Sequence, residues 1–273
     1  MWTLNRVIGA MVDGLLLPFR GLPAAVGLTV ISVLAAVGML LVFKATSDQP
    51  RLAATKRRIQ AAILEIRLLN EDPRFVLAAQ RDALRHSLAY LRLTLVPLLW
   101  MALPLLTLMA HLQAYYGYRG LVVGETAIVK ATWGEGDSVA RMPSLEGDGG
   151  VVVQTPVLWI PSQREADWRV AATAPGEQEL RLRLGDAVWT KTVLVSSSLG
   201  RRSARRPSAS LLDQLLYPSE PPLAGGATVA AIEVTYPAGE VSLLGWETHW
   251  IIAFLILTLL AALALRGPMR VTF

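Results

Sequence analysis

The chain contains no cysteine, few histidines and little charge for its length of 273 residues. Without cysteine, disulfides, thiolate zinc sites and cysteine nucleophiles are excluded, and the redox compartment is left open. The three histidines, His86, His111 and His249, are far apart and show no metal-ligand spacing. The Gly147-Asp148-Gly149-Gly150 run lacks the following helix and lysine of a phosphate loop and reads as a hairpin turn. No serine sits in a nucleophile-elbow pattern. No catalytic constellation remains, so a non-enzyme without metal or cofactor is expected.

Charged residues make up 17% of the chain and hydrophobic ones 53%. That balance is too apolar for a water-soluble globule, and the excess is gathered in blocks. Residues 21–43, 93–118 and 248–265 carry no Asp, Glu, Lys or Arg. About 20 apolar residues cross a hydrocarbon core of ~30 Å, so each block predicts a transmembrane helix, the third extending to 266. Residues 1–20 are mostly apolar but broken by Asn5, Arg6 and Asp13, and predict an amphipathic helix in the membrane interface.

Residues 44–92 hold Lys44, Arg51, Lys56, Arg57, Arg58, Arg67, Arg74, Arg81, Arg85 and Arg92, against fewer acids, and the tail 267–273 holds Arg270. Basic residues favour the cytoplasmic side, which places the N-terminus and residues 119–247 outside and the C-terminus inside. Tyr115, Tyr116 and Tyr118 close the second span and Trp246 and Trp250 open the third, as interface anchors would.

Between the first two spans, Leu52, Ile59 and Ile66 recur at heptad spacing with Ile63 between them. After Asn70-Glu71-Asp72-Pro73 the spacing resumes at Leu77, Leu84 and Leu91, with Leu88 beside them. This predicts an antiparallel helical hairpin over 44–92. Its arginine-rich face is either a solvated topology signal or a surface for ribosome, anionic lipid or nascent chain; nothing suggests sequence-specific nucleic-acid recognition. In the first span, Gly27, Ile31, Ala35 and Gly38 share related faces and permit close helix approach. Pro97 and Pro104 predict a bent second span.

From 119 to 196 the pattern changes to short β-branched or alternating runs: 121–123, 126–130, 151–153, 168–170, 179–184 and 192–195. Leu180, Leu182 and Leu184 alternate with Glu179, Arg181 and Arg183, and Gly185-Asp186 turns the chain into a strand with Trp189. These runs predict a small extracytoplasmic all-β domain, an immunoglobulin-like sandwich. Residues 197–247 then read as a linker whose four arginines, Arg201, Arg202, Arg205 and Arg206, lie in a flexible, solvated stretch or contact acidic headgroups or a partner. A short amphipathic helix at 211–217 and a return strand at 228–236 complete it.

An amphipathic segment, an N-out span, the run Lys44-Ala45-Thr46-Ser47-Asp48-Gln49-Pro50, a basic hairpin tipped by Asn70-Glu71-Asp72-Pro73-Arg74 and a proline-bearing second span come in that order. The arrangement resembles the YidC/Oxa membrane-protein insertase superfamily. The resemblance implies a polar, lipid-open groove receiving a hydrophobic client, with Thr29, Ser32, Thr94 and, deeper, Thr107 as contacts. The expected function is insertase-like membrane chaperoning. The alternative is a non-catalytic subunit of a larger membrane complex docking through its β domain, and a sensor is a third reading. Membrane lipid, with a client polypeptide or partner subunits, is the expected company. The alanine-, arginine- and leucine-rich usage suits a bacterial inner membrane with a periplasmic β domain.

Overall fold

A computed structural model describes residues 2–68, 73–134, 142–224, 228–243 and 245–271. Four helices come first: α1 (Trp2–Leu16), α2 (Ala24–Thr46), α3 (Gln49–Leu68) and α4 (Pro73–Tyr116). Seven strands follow: β1 (Thr126–Trp133), β2 (Ser144–Gly147), β3 (Val151–Val153), β4 (Leu158–Ile160), β5 (Glu165–Ala172), β6 (Gly176–Leu184) and β7 (Ala187–Val195). Then come β8 (Arg205–Arg206), α5 (Leu211–Leu216), β9 (Val229–Val234), β10 (Glu240–Leu243), β11 (Trp246–His249) and α6 (Trp250–Leu265). The chain forms two compact units, Met1–Leu28 with Thr107–Ala253, and Thr29–Leu106 with Phe254–Phe273.

In the first unit, strands pair antiparallel in the order β3-β5-β1-β9-β8, with β4 also on β5, and a second sheet runs β2-β6-β7. Alternation drives this. Ala127, Val129, Ala131 and Trp133 of β1 are buried, as are Leu180 and Leu182 of β6 and Val193 and Val195 of β7, and both sheets share one core. Each fully buried leucine contributes roughly 1.5–3 kcal/mol. The alternation over 179–184 holds: Arg181 and Arg183 stay outside and pair with Glu179 and Glu146. The return strand β9 lies beside β1, inside the larger sheet.

Three local expectations are corrected. The 147–150 turn does not close a hairpin, because β2 and β3 belong to different sheets; it carries the chain across the core. Gly149 has a positive φ of 99° there, which suits so sharp a passage. Residues 121–123 make only a parallel bridge, Leu121 to Val195, rather than a strand. The 201–206 stretch is not a flexible connection, since Arg202 and Ser203 are buried and Arg205–Arg206 is a strand on β9.

In the second unit, α2 and α4 are long and apolar enough to cross a membrane, whereas α6 spans 16 residues. The block beginning at 248 starts within the first unit as strand β11, paired with β10, and turns helical only at Trp250. Helix α4 continues through Pro97 and Pro104 for 44 residues. Helix α3 restarts after α2 because the Asp48 carboxylate accepts from the Arg51 backbone N–H at 3.1 Å, an N-cap, with Pro50 in the first turn. The Lys44 ammonium donates to the Met269 carbonyl at 3.0 Å, tying the end of α2 to the chain beyond α6. The hairpin tip, Asn70-Glu71-Asp72, lies outside the described residues, as do the side chains of Arg67 and Pro73.

Candidate functional site

The covered face of α3 keeps the expected heptad positions, whereas that of α4 does not. On α3 the buried or half-buried positions include Leu52, Thr55, Ile59, Ala62 and Ile66, on heptad spacing, with Gln49 and Ala53 beside them. On α4 they are Val76, Ala79, Ala83, His86, Tyr90, Leu93 and Pro97, also alternating three and four residues. The heptad leucines lie one residue further on and face outward: Leu77, Leu84, Leu88, Leu91 and Leu95 are 65%, 64%, 55%, 60% and 48% exposed. Ile63, expected in the α3 seam, is also exposed, with Leu64.

Arginines run beside this stripe in a fixed relation. Arg74, Arg81, Arg85 and Arg92 precede Leu77, Leu84, Leu88 and Leu95 by three residues, and all four arginines are exposed. Residues three apart are neighbours on a helix surface, so α4 presents a leucine strip edged by a guanidinium strip. Lys56, Arg57 and Arg58 are exposed on α3, and Arg51 pairs with Asp48 at 3.0 Å. The strip continues up α4 through Leu98, Leu99, Trp100, Leu103 and Leu106, all exposed.

The four expected groove residues fare differently. Thr29 is exposed on α2, whereas Ser32 is fully buried in the stripe Leu28, Ser32, Ala36 and Leu40. The Thr94 hydroxyl donates to its own helix, at 3.1 Å from the Tyr90 carbonyl and 3.0 Å from that of Leu91. Thr107 contributes its carbonyl, which lies 2.9 Å from His111 Nδ1. On the small-residue face, Gly27 and Ile31 are buried but Gly38 is exposed with open space around it.

At the far end of α4 the expected anchors divide. Trp246 is exposed and Tyr118 half-buried, but Tyr115, Tyr116 and Trp250 are buried within the chain. They are held by polar tips: the Tyr115 hydroxyl donates to Asp13, and Trp250 Nε1 donates to Gln113 Oε1 at 2.9 Å. The Tyr116 hydroxyl sits where a Cβ on Gly27 would be only 2.8 Å away, so that glycine makes room for a ring of the same unit.

Around these tyrosines the chain builds a polar node. Helix α1 buries Asn5, Gly9, Val12 and Leu16 and leaves Leu4, Val7, Met11 and Leu15 exposed. Asn5 donates to the Gln214 carbonyl at 2.6 Å, while its own carbonyl lies 3.2 Å from His111 Nε2. Arg201 pairs with Asp13 at 3.6 Å. Arg205 pairs with Glu233 at 3.2 Å and lies over the Tyr217 ring. Arg206 donates to the Thr190 backbone and hydroxyl. The arginines of 201–206 are thus spent mainly on this chain's own acceptors.

Two buried cations stand apart. Lys191 faces the core side of β7, and its three protons go to Glu220 at 2.9 Å, the Ser203 carbonyl at 2.6 Å and the Thr192 carbonyl at 3.1 Å. Burial pushes its ammonium below the usual lysine value, opposed by Glu220. Arg202 donates to the carbonyls of Tyr115, Gly200 and Ser198 and has no carboxylate partner among the described residues. Burial lowers its value as well, opposed by Tyr236 and assisted by the neighbouring charge of Arg119. Among the described residues no three of His, Cys, Asp or Glu gather as a metal site.

The leucine–arginine strip and the arginine–tyrosine node were both missed by residue patterning. The three-residue offset between arginine and leucine was a readable signal. The node joins residues some 200 positions apart and left none. No family model, characterised protein or solved structure matches this chain.

Proposed function

We propose that the chain is an insertase-like membrane chaperone of the YidC/Oxa kind, receiving hydrophobic segments on the leucine strip of α4. In this reading α2, α4 and α6 each cross a bacterial inner membrane. The α3–α4 hairpin stands in the cytoplasm and the β-rich unit, with an immunoglobulin-like architecture, in the periplasm. Helix α1 lies in the outer interface, its exposed apolar face toward lipid. At 1.5 Å per residue α6 is about 24 Å long, which suits a locally thinned bilayer.

The observation that carries the reading is the exposure of Leu77, Leu84, Leu88 and Leu91. Residues 73–92 extend about 30 Å along the helix axis, so the lower leucines stand well away from lipid when residues 93–116 are in it. An exposed apolar strip of this kind in water marks a binding surface. Its arginine edge suits the acidic flank of a hydrophobic helix, and its continuity with Leu95–Leu106 gives that helix a path to lipid without leaving α4.

Photo-crosslinking groups at positions 84, 88, 29, 32 and 94 test this in cells translating membrane proteins. The expected outcome is labelling of many different nascent chains at 84 and 88, and of longer ones at 94. Labelling of one stable partner protein at every position would instead assign the strip to a fixed subunit contact and favour the scaffold role.

A further inference from the structure

A cavity of about 620 Å³ opens in the first unit where the start of α2 and the end of α4 meet the β-rich part. Gly21, Leu22 and Ala24 border it at the start of α2, Tyr115 and Tyr116 at the end of α4, and Glu240 and Val241 on β10. Three guanidinium side chains line it: Arg20, Arg119 and Arg202. Their compensation is incomplete. Arg119 is matched by Glu125 at 2.7 Å, Arg20 reaches Asp13 only at 4.0 Å, and Arg202 has no acid among the described residues.

Arg202 carries the least compensated of these charges. It is 4% exposed, its guanidinium donates only to backbone carbonyls, and it has no carboxylate beside it among the described residues. A buried guanidinium without a counter-charge is costly. A negatively charged group in the cavity would offset that charge together with the part of Arg20 that Asp13 leaves unmatched.

We propose that this cavity binds the phosphodiester headgroup of a phospholipid, with the phosphate between Arg20, Arg119 and Arg202. Planar guanidinium groups suit phosphate oxygens. Glu240 at the rim sets the class of anion. It makes no ion pair among the described residues, and its charge disfavours a dianionic free phosphate more than a singly charged diester. Leu22, Leu199 and Val241 offer the apolar wall that a glycerol backbone and the first acyl carbons need. The inference rests on the spanning reading of α2, α4 and α6 but not on client reception.

The test uses the full chain, purified in detergent and stripped of lipid. Its thermal unfolding is followed with dihexanoylphosphatidylethanolamine, with sodium phosphate, or with dihexanoylglycerol, which has the same chains and no phosphate. The phospholipid should raise the midpoint saturably and the other two should not. Arg20→Gln with Arg119→Gln should raise the half-saturating concentration about tenfold or more. Both side chains are roughly half exposed, at 47% and 48%, so an unchanged midpoint without lipid confirms that the variant folds. Equal stabilisation by phosphate would overturn the proposal in favour of a free-anion site, and equal stabilisation by the diglyceride would reduce it to an acyl-chain effect. An unaltered titration in the double variant would remove the arginines as the receptor. Retention of the chain in carbonate-washed membranes checks the spanning reading separately.

Discussion

The two units of this chain treat their apolar side chains in opposite ways. In the β-rich unit Val129, Ala166, Leu180, Val193 and Ile232 are wholly enclosed. In the helical unit Leu95, Leu98, Leu99, Trp100 and Leu103 stand open along one helix. The polar residues mirror this. The β-rich unit draws Lys191, Glu220 and Arg202 inside and gives them partners or a cavity, whereas the arginines of α4 remain outside. One unit therefore makes its own core, whereas the other leaves a row of large apolar side chains uncovered. Stability measurements should consequently respond to core changes in the first unit and hardly at all to the outward leucines of the second.

The largest break is expected at the buried pair. Lys191→Met removes one charge and leaves the Glu220 carboxylate enclosed, accepting only from the Thr192 N–H at 2.6 Å. Stranding one member of such a pair costs about 3–5 kcal/mol, read as a fall in denaturant midpoint. Lys191→Met with Glu220→Met should recover more than half of that loss, since no buried charge is left unmatched. Leu180→Ala, at a fully buried position, should cost about 3 kcal/mol by lost burial and a residual cavity. Gly120→Ala comes next. A Cβ there would lie 1.9 Å from the Ser196 carbonyl oxygen and 2.9 Å from Arg202 Nε, so backbone must move. A cost of roughly 1–3 kcal/mol follows, with weaker headgroup binding because Arg202 shifts.

These sites differ in how legible they were from residues alone. Leu180 and Leu182 were readable because strand alternation is local and β6 obeys it. Lys191 was not, because a lysine in the run 187–195 suggests an outward position. Only Glu220, from a loop 29 residues on, makes an inward one tolerable. The arginines at 201–206 looked solvated for the same reason: their acceptors, Asp13, Tyr115, Thr190 and Glu233, are distant in sequence. The uncharged blocks marked α2 and α4 plainly, but the start of α6 was misjudged. Thr248 and His249 are uncharged without being helical, and pairing with β10 decides their state. On α4 the enclosed stripe was misread because leucine outranks alanine in any heptad pattern, yet Val76, Ala79 and Ala83 are the covered positions there.

That misreading makes the smallest predicted effect the most discriminating. If Leu84 and Leu88 closed the hairpin, replacing both with serine would create a polar hole in a seam and cost several kcal/mol, with loss of helical signal. At 64% and 55% exposure they have little burial to lose, so Leu84→Ser with Leu88→Ser should shift stability by no more than about 0.5 kcal/mol. Ala79→Leu, on the buried stripe one turn away, should cost more than the double serine variant despite adding an apolar group, because that position is 5% exposed and has no room. A calorimetric midpoint for the three proteins separates the alternatives, since the two seams predict opposite rank orders. If the serine variant also loses crosslinks to nascent chains at an unchanged midpoint, the outward strip is a binding surface rather than part of the fold's own packing.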